Sequence, residues 1–163
     1  MILRNSDRQK GVLIDLDLAK EKDSDSDTSR APHRTGTLEF MAIEVLKGMP
    51  HTWRHDLESF FYVLIWICII GGKPKPGGVP ELLQMWSWKS APNTKYAQMT
   101  SEMDFEELLG IFGDKFGSLK GMVREMRKVL FGPFGGGFYS TPVNHHDMYS
   151  MFIKVLDDEC KTC

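Results

Sequence analysis

The chain predicts a mainly α protein with a small β-hairpin at its N-terminus and about five helices, on three observations. Two short apolar runs, Met1-Ile2-Leu3 and Val12-Leu13-Ile14, flank the polar stretch Arg4 to Lys10, which suits two short paired strands. The residues from Asp56 to Gly71 are apolar almost all round, the composition of a helix with other elements on every side. Beyond them, apolar side chains recur at spacings of three and four.

Each element has its own local signals. After the hairpin, Lys20 to His33 loses all apolar periodicity, so it reads as a loop, and the alternating acids and hydroxyls of Asp23 to Ser29 suit simple solvation better than a phosphorylation target beside Arg30 and Arg34. The apolar helix at about 56–71 has Asp56 at its N-cap position and Gly71-Gly72 just past its end. A Pro/Gly connector, Lys73 to Pro80, precedes a helix at Pro80 to Trp88 with Pro80 in the first turn. Asp104 is the expected cap of a helix ending at Phe112. A longer helix at about Asp114 to Phe131 carries Phe116, Leu119, Met122, Val123, Met126 and Leu130 on one face. Gly132 to Val143 reads as a loop, and the last helix runs from about Asn144 to Asp158. The aromatics Trp86, Trp88, Phe131, Phe134, Phe138 and Tyr139 suit core packing better than a docking face.

Composition narrows the function. At 163 residues, 42% hydrophobic and 26% charged, there is room for one globular domain. A net charge of −2 gives no electrostatic footprint for nucleic acid. The longest apolar run, Phe60 to Ile70, falls short of the roughly 20 residues a membrane span requires. Met1 to Asn5 turns polar too early for a secretory signal, so an intracellular protein, cytoplasmic or nuclear, is expected. Cys68 lies in the apolar run as a small hydrophobe. Cys160 and Cys163 form one CxxC, half a zinc site at most, and read as two free thiols with His145 and His146 as a surface pair.

Three motifs carry chemistry. In Ile14-Asp15-Leu16-Asp17-Leu18-Ala19 a carboxylate follows directly on a strand, which would hold a metal-binding Asp at the rim of a cleft, although alternating Asp and Leu also fits a solvated strand end. Arg34-Thr35-Gly36-Thr37 then leads to Phe40-Met41-Ala42-Ile43-Glu44, and His55-Asp56-Leu57-Glu58-Ser59 opens the apolar helix. In order and wording these motifs resemble the fungal-type protein kinase family over about residues 11 to 70.

The resemblance implies a partial protein kinase domain spanning 1–163, a C-lobe whose activation segment is 15–44 and whose central helix is about 56–71. By that resemblance Asp15 holds Mg²⁺ against the ATP phosphates, with Asp17 the alternative under a two-residue slip; Leu18-Ala19 favours Asp15. Thr37 falls at the position that helps to seat the substrate hydroxyl. Glu44 falls at the acid that pairs with an arginine of the later helices, Arg124 and Arg127 being the candidates on composition. Asp56 falls at the helix-capping acid that accepts hydrogen bonds from the catalytic loop. The 163 residues include no glycine-rich loop, strand lysine or His-Arg-Asp loop, so ATP and Mg²⁺ are expected of a complete domain and no transfer of this chain alone. A few hundred Å² of apolar surface beside the central helix would then stay open, at about 25 cal/mol/Å², inviting a protein substrate or a protein partner over the exposed lobe face. The other reading is a non-catalytic, pseudokinase-like interaction module.

Overall fold

A computed structural model describes residues 2–4, 11–13, 36–71, 78–132 and 145–162. Asp15, Asp17, the loop from Lys20 to His33, most of the Pro/Gly connector, the glycine-rich stretch after Gly132, and Cys163 lie outside the described residues. The chain divides into two compact units, Met1–His33 and Arg34–Cys163. In the first, strand β1 (Ile2–Arg4) pairs antiparallel with β2 (Gly11–Leu13), Leu3 opposite Val12.

The second unit is helical. Its axis is α2 (Trp53–Ile70), which follows a single turn of helix, α1 (Ile43–Leu46). Phe61, Tyr62, Ile65, Cys68 and Ile69 recur at three and four and are fully buried, so one face of α2 organises the core. Against that face stand α3 (Glu81–Gln84) with a 3-10 turn at Met85–Ser87, α4 (Ala91–Thr100), α5 (Glu102–Gly110) and α6 (Lys120–Phe131). They contribute Leu83, Trp86, Met99, Phe105, Leu108, Val123, Met126 and Leu130 to one continuous cluster. The C-terminal α7 (His145–Thr162) buries Met148 and Phe152, and Phe152 meets Phe60 with ring centroids 6.4 Å apart.

Several sequence expectations are corrected here. The central helix starts three residues before Asp56, because Thr52 is the N-cap and its backbone N–H donates to His55 Nδ1 at 2.9 Å, one half of a capping box. Nor is α2 enclosed all round: Phe60 and Ile67, seven residues apart on one stripe, are 44% and 45% exposed. The helix expected at Pro80 to Trp88 breaks into α3 and the 3-10 turn, and Pro80 is the N-cap, outside the helix. Ser101, not Asp104, caps α5, its Oγ accepting the Asp104 N–H at 3.2 Å. The helix expected from Asp114 is a 3-10 segment to Leu119 before α6 begins at Lys120. Gly117 in its middle lowers the local helix propensity. Trp86 is buried in the core as expected, whereas Trp88 is 54% exposed.

Candidate functional site

The site is the segment from Gly36 to Gly48 and the side chains that pin it. Gly36 has φ +137°, a backbone conformation open to glycine and strained for other residues, and it turns the chain into Thr37. The Thr37 carbonyl then accepts the N–H of Phe40 at 2.9 Å and of Met41 at 3.2 Å, closing a tight turn that leaves Thr37 at the surface. Past the turn the chain dives inward, and Met41, Ala42, Ile43 and Leu46 are buried.

Two sets of polar side chains hold this buried stretch. The first comes from the opening turns of α2. Glu58 Oε1 accepts the Ile43 N–H at 2.8 Å and the Tyr62 hydroxyl at 2.7 Å, while its Oε2 accepts from Arg54 at 3.0 Å. Arg54 also donates to the Leu130 carbonyl at 3.0 Å and lies over the Phe131 ring, so one guanidinium ties α6 to the start of α2. Glu44 Oε2 accepts from His55 Nε2 at 2.7 Å and stands 3.8 Å from Arg54. The Thr52 N–H already occupies His55 Nδ1, so the ring proton that reaches Glu44 sits on Nε2.

The second set is a single lysine. Lys95 of α4 is fully buried and donates from Nζ to the carbonyls of Leu38, at 3.2 Å, and Met41, at 2.8 Å. The same Nζ lies 4.1 Å from the centre of the Tyr62 ring and 5.1 Å from that of Trp86. Burial pushes its pKa down to about 7, against the opposing attraction of Glu58 and Glu39. Burial, and after it the Glu58 carboxylate, pushes the Tyr62 hydroxyl well above its ordinary range. Around this lysine, Ser87 donates to Glu39 at 2.5 Å, Ala91 packs with Met41 and Leu46, and Phe40 stands edge-on to Trp66.

The arginine partners expected for Glu44 are elsewhere. Arg124 is engaged with Glu106 through two contacts of 2.6 Å, and Arg127 with Glu102 and the Met99 carbonyl. The cation and the ring that meet Glu44 come instead from its own neighbourhood, Arg54 and His55. Asp56 lies in the first turn of α2 with its side chain 70% exposed and Oδ1 3.4 Å from His51 Nε2. Arg54 and Lys95 were not singled out in the sequence, and His55 and Glu58 stood there only inside the motif His55-Asp56-Leu57-Glu58-Ser59, with no role of their own. Polar residues clustered at 54, 55 and 58 before a wholly apolar run are the signal that could have found three of them; Lys95, among Thr94, Tyr96 and Ala97, offers no comparable one. Among the described residues no group of three or more His, Cys, Asp or Glu could hold a metal ion. No helix among them is long and apolar enough to cross a membrane.

Residues 1–68 match the fungal protein kinase family. All three motifs fall within the matched residues, so the match bears out the resemblance read from the sequence. No curated protein and no solved structure matches the chain. The fungal protein kinase match ends inside α2, while the lysine that closes the segment stands in α4, outside it.

Proposed function

We propose that the chain is the activation-segment and helical-lobe portion of a fungal-type protein kinase domain, which in complete form transfers the γ-phosphate of ATP to a protein Ser or Thr hydroxyl. The match of residues 1–68 to the fungal protein kinase family carries this reading. In it Asp15, or less favoured Asp17, supplies the carboxylate to Mg²⁺. A single protein carboxylate with substrate phosphates making up the rest suits that ion, which keeps several waters and needs no all-protein cage. Thr37, exposed on its turn, helps to seat the substrate hydroxyl, and Glu44 is the structural acid that ties the segment down through His55 and Arg54. Asp56, with its exposed carboxylate, accepts from the backbone of the catalytic loop of a complete domain. A positioned general base is worth about 10²- to 10⁴-fold in rate, so without His-Arg-Asp among these residues the chain alone gives no phosphotransfer above background.

Two measurements test the reading. The isolated chain shows no melting shift with Mg-ATP; a shift of several degrees would mean that nucleotide binds without a glycine-rich loop. If the reading frame upstream of Met1 encodes His-Arg-Asp and an asparagine a few residues on, the extended protein transfers labelled phosphate to a Ser/Thr protein and Asp15→Asn abolishes the transfer. An extended protein that binds ATP yet transfers nothing overturns the enzyme reading. The second reading, a non-catalytic interaction lobe, has the exposed Phe60 and Ile67 of α2 in its favour.

A further inference from the structure

Lys95 stands out in the second unit as a fully buried lysine whose amine donates to the carbonyls of Leu38 and Met41. Its two acceptors belong to the turn that Thr37 closes: the Thr37 carbonyl takes the N–H groups of Phe40 and Met41, the Leu38 carbonyl takes the Met41 N–H at 3.3 Å, and Lys95 donates to the carbonyls of Leu38 and Met41. The turn is therefore hydrogen-bonded both by its own backbone and by α4. Ala91, four residues before Lys95 and so on the same face of α4, packs on Met41 and Leu46, which fixes the distance at which the amine meets the carbonyls. Tyr62 and Trp86 wall the amine from water, and Gln98 holds Trp86 in place by accepting its indole N–H at 2.6 Å.

We propose that Lys95 is a positioning residue for the Thr37–Met41 turn, setting from α4 the conformation of the segment that would seat a protein substrate. The proposal rests on the kinase reading only for the word substrate; the clasp itself is a property of this chain. Removing the amine leaves Leu38 O with the Met41 N–H at 3.3 Å but takes from Met41 O its lysine donor, in a buried stretch where water is a poor replacement.

The test is amide hydrogen exchange on the full chain and on Lys95→Met, a replacement of similar length without the donors. Protection at Phe40 and Met41 is expected to fall by about tenfold to a hundredfold, the range for one stranded buried carbonyl, that of Met41, while the amides of α6 keep theirs. Turn amides that hold their protection in the variant overturn the proposal, as does a loss shared equally by α6, which would show a merely structural lysine. Should the variant fail to fold, the wild-type chain still decides. Under an amine-reactive acetylating ester, exposed Lys89 and Lys154 react first and Lys95 is modified only at the opening rate of the Phe40 and Met41 amides. A Lys95 that reacts as fast as Lys89, or independently of those amides, overturns the clasp. None of these readouts requires phosphotransfer, so the clasp can hold while the kinase reading fails, and the reverse.

Discussion

Burying a lysine amine over a tyrosine ring, with a cysteine thiol buried elsewhere in the same core, gives the molecule a stability that rises with pH to about 9 and stops rising above it. Lys95 loses its proton at about 7 in the folded chain but at about 10.5 when exposed by unfolding. Between those values unfolding takes up a proton, so stability rises with pH, by at most about 1.4 kcal/mol per unit. Cys68 acts the other way: burial raises its thiol from 9.0 to about 11, so above pH 9 unfolding releases a proton and stability falls with pH. Tyr62, raised above 10.0, adds to that fall. The urea midpoint is therefore expected to climb from pH 7 to 9 and then level off or drop; a midpoint that declines from 7 to 9 would contradict the burial of a neutralisable Lys95. Nothing in the sequence announces this residue. A lysine reads as surface in any composition argument, because what makes it a core residue is two carbonyls and two ring faces supplied from 9 to 57 positions away. Glu44 was legible as an acid needing a partner, but the arginines weighed for it lay far along the chain while the partners lay 10 and 11 residues on, at Arg54 and His55.

At the scale of elements, α2 shows which signals survive tertiary context. Its apolar run and its glycine stop were plain in the sequence: Gly71 sits at φ +67° and its N–H reaches the Ile67 carbonyl at 2.7 Å. A Cβ there would meet the Lys115 side chain at an ordinary 3.6 Å, so the cost of Gly71→Ala comes from the left-handed backbone alone. It is expected to be about 1 kcal/mol, seen as a melting point lower by about 3 °C; no change would mean that the helix end rearranges freely. The start of α2 was misread because Asp56 is a fitting cap by type, whereas Thr52 with His55 three residues later is an N-terminal pair in which histidine stands where Glu or Gln is usual. Helix α4 was missed altogether. Its apolar positions are few, and two of the residues on its inner face are Lys95 and Gln98, buried by specific partners rather than by hydropathy. The six residues of 3-10 helix before α6 escaped for a related reason, since spacings of three fit either helix type.

At the scale of the whole molecule, the helical unit Arg34–Cys163 builds its described core from its own residues, the cluster running from Ile43 to Phe152. A chain beginning at Arg34 is therefore expected to keep its helical circular dichroism and to melt within a few degrees of the full chain; loss of cooperative melting would show that the first 33 residues are needed for that core. The mainly α class was readable from periodicity, as was the central place of the apolar helix, because both follow from side chains within one element. The anchoring of the segment was not, because it depends on which elements meet. One feature of that anchoring bears on how the molecule is made. The hydrogen bond from His55 to Glu44 joins residues 11 apart, whereas Lys95 reaches Met41 across 54 positions. Closing the longer loop costs about 1.4 kcal/mol more in chain entropy, and a ribosome adds the imidazole 40 residues before the lysine. The nascent polypeptide thus acquires a provisional grip near its beginning, and the later helix only completes it.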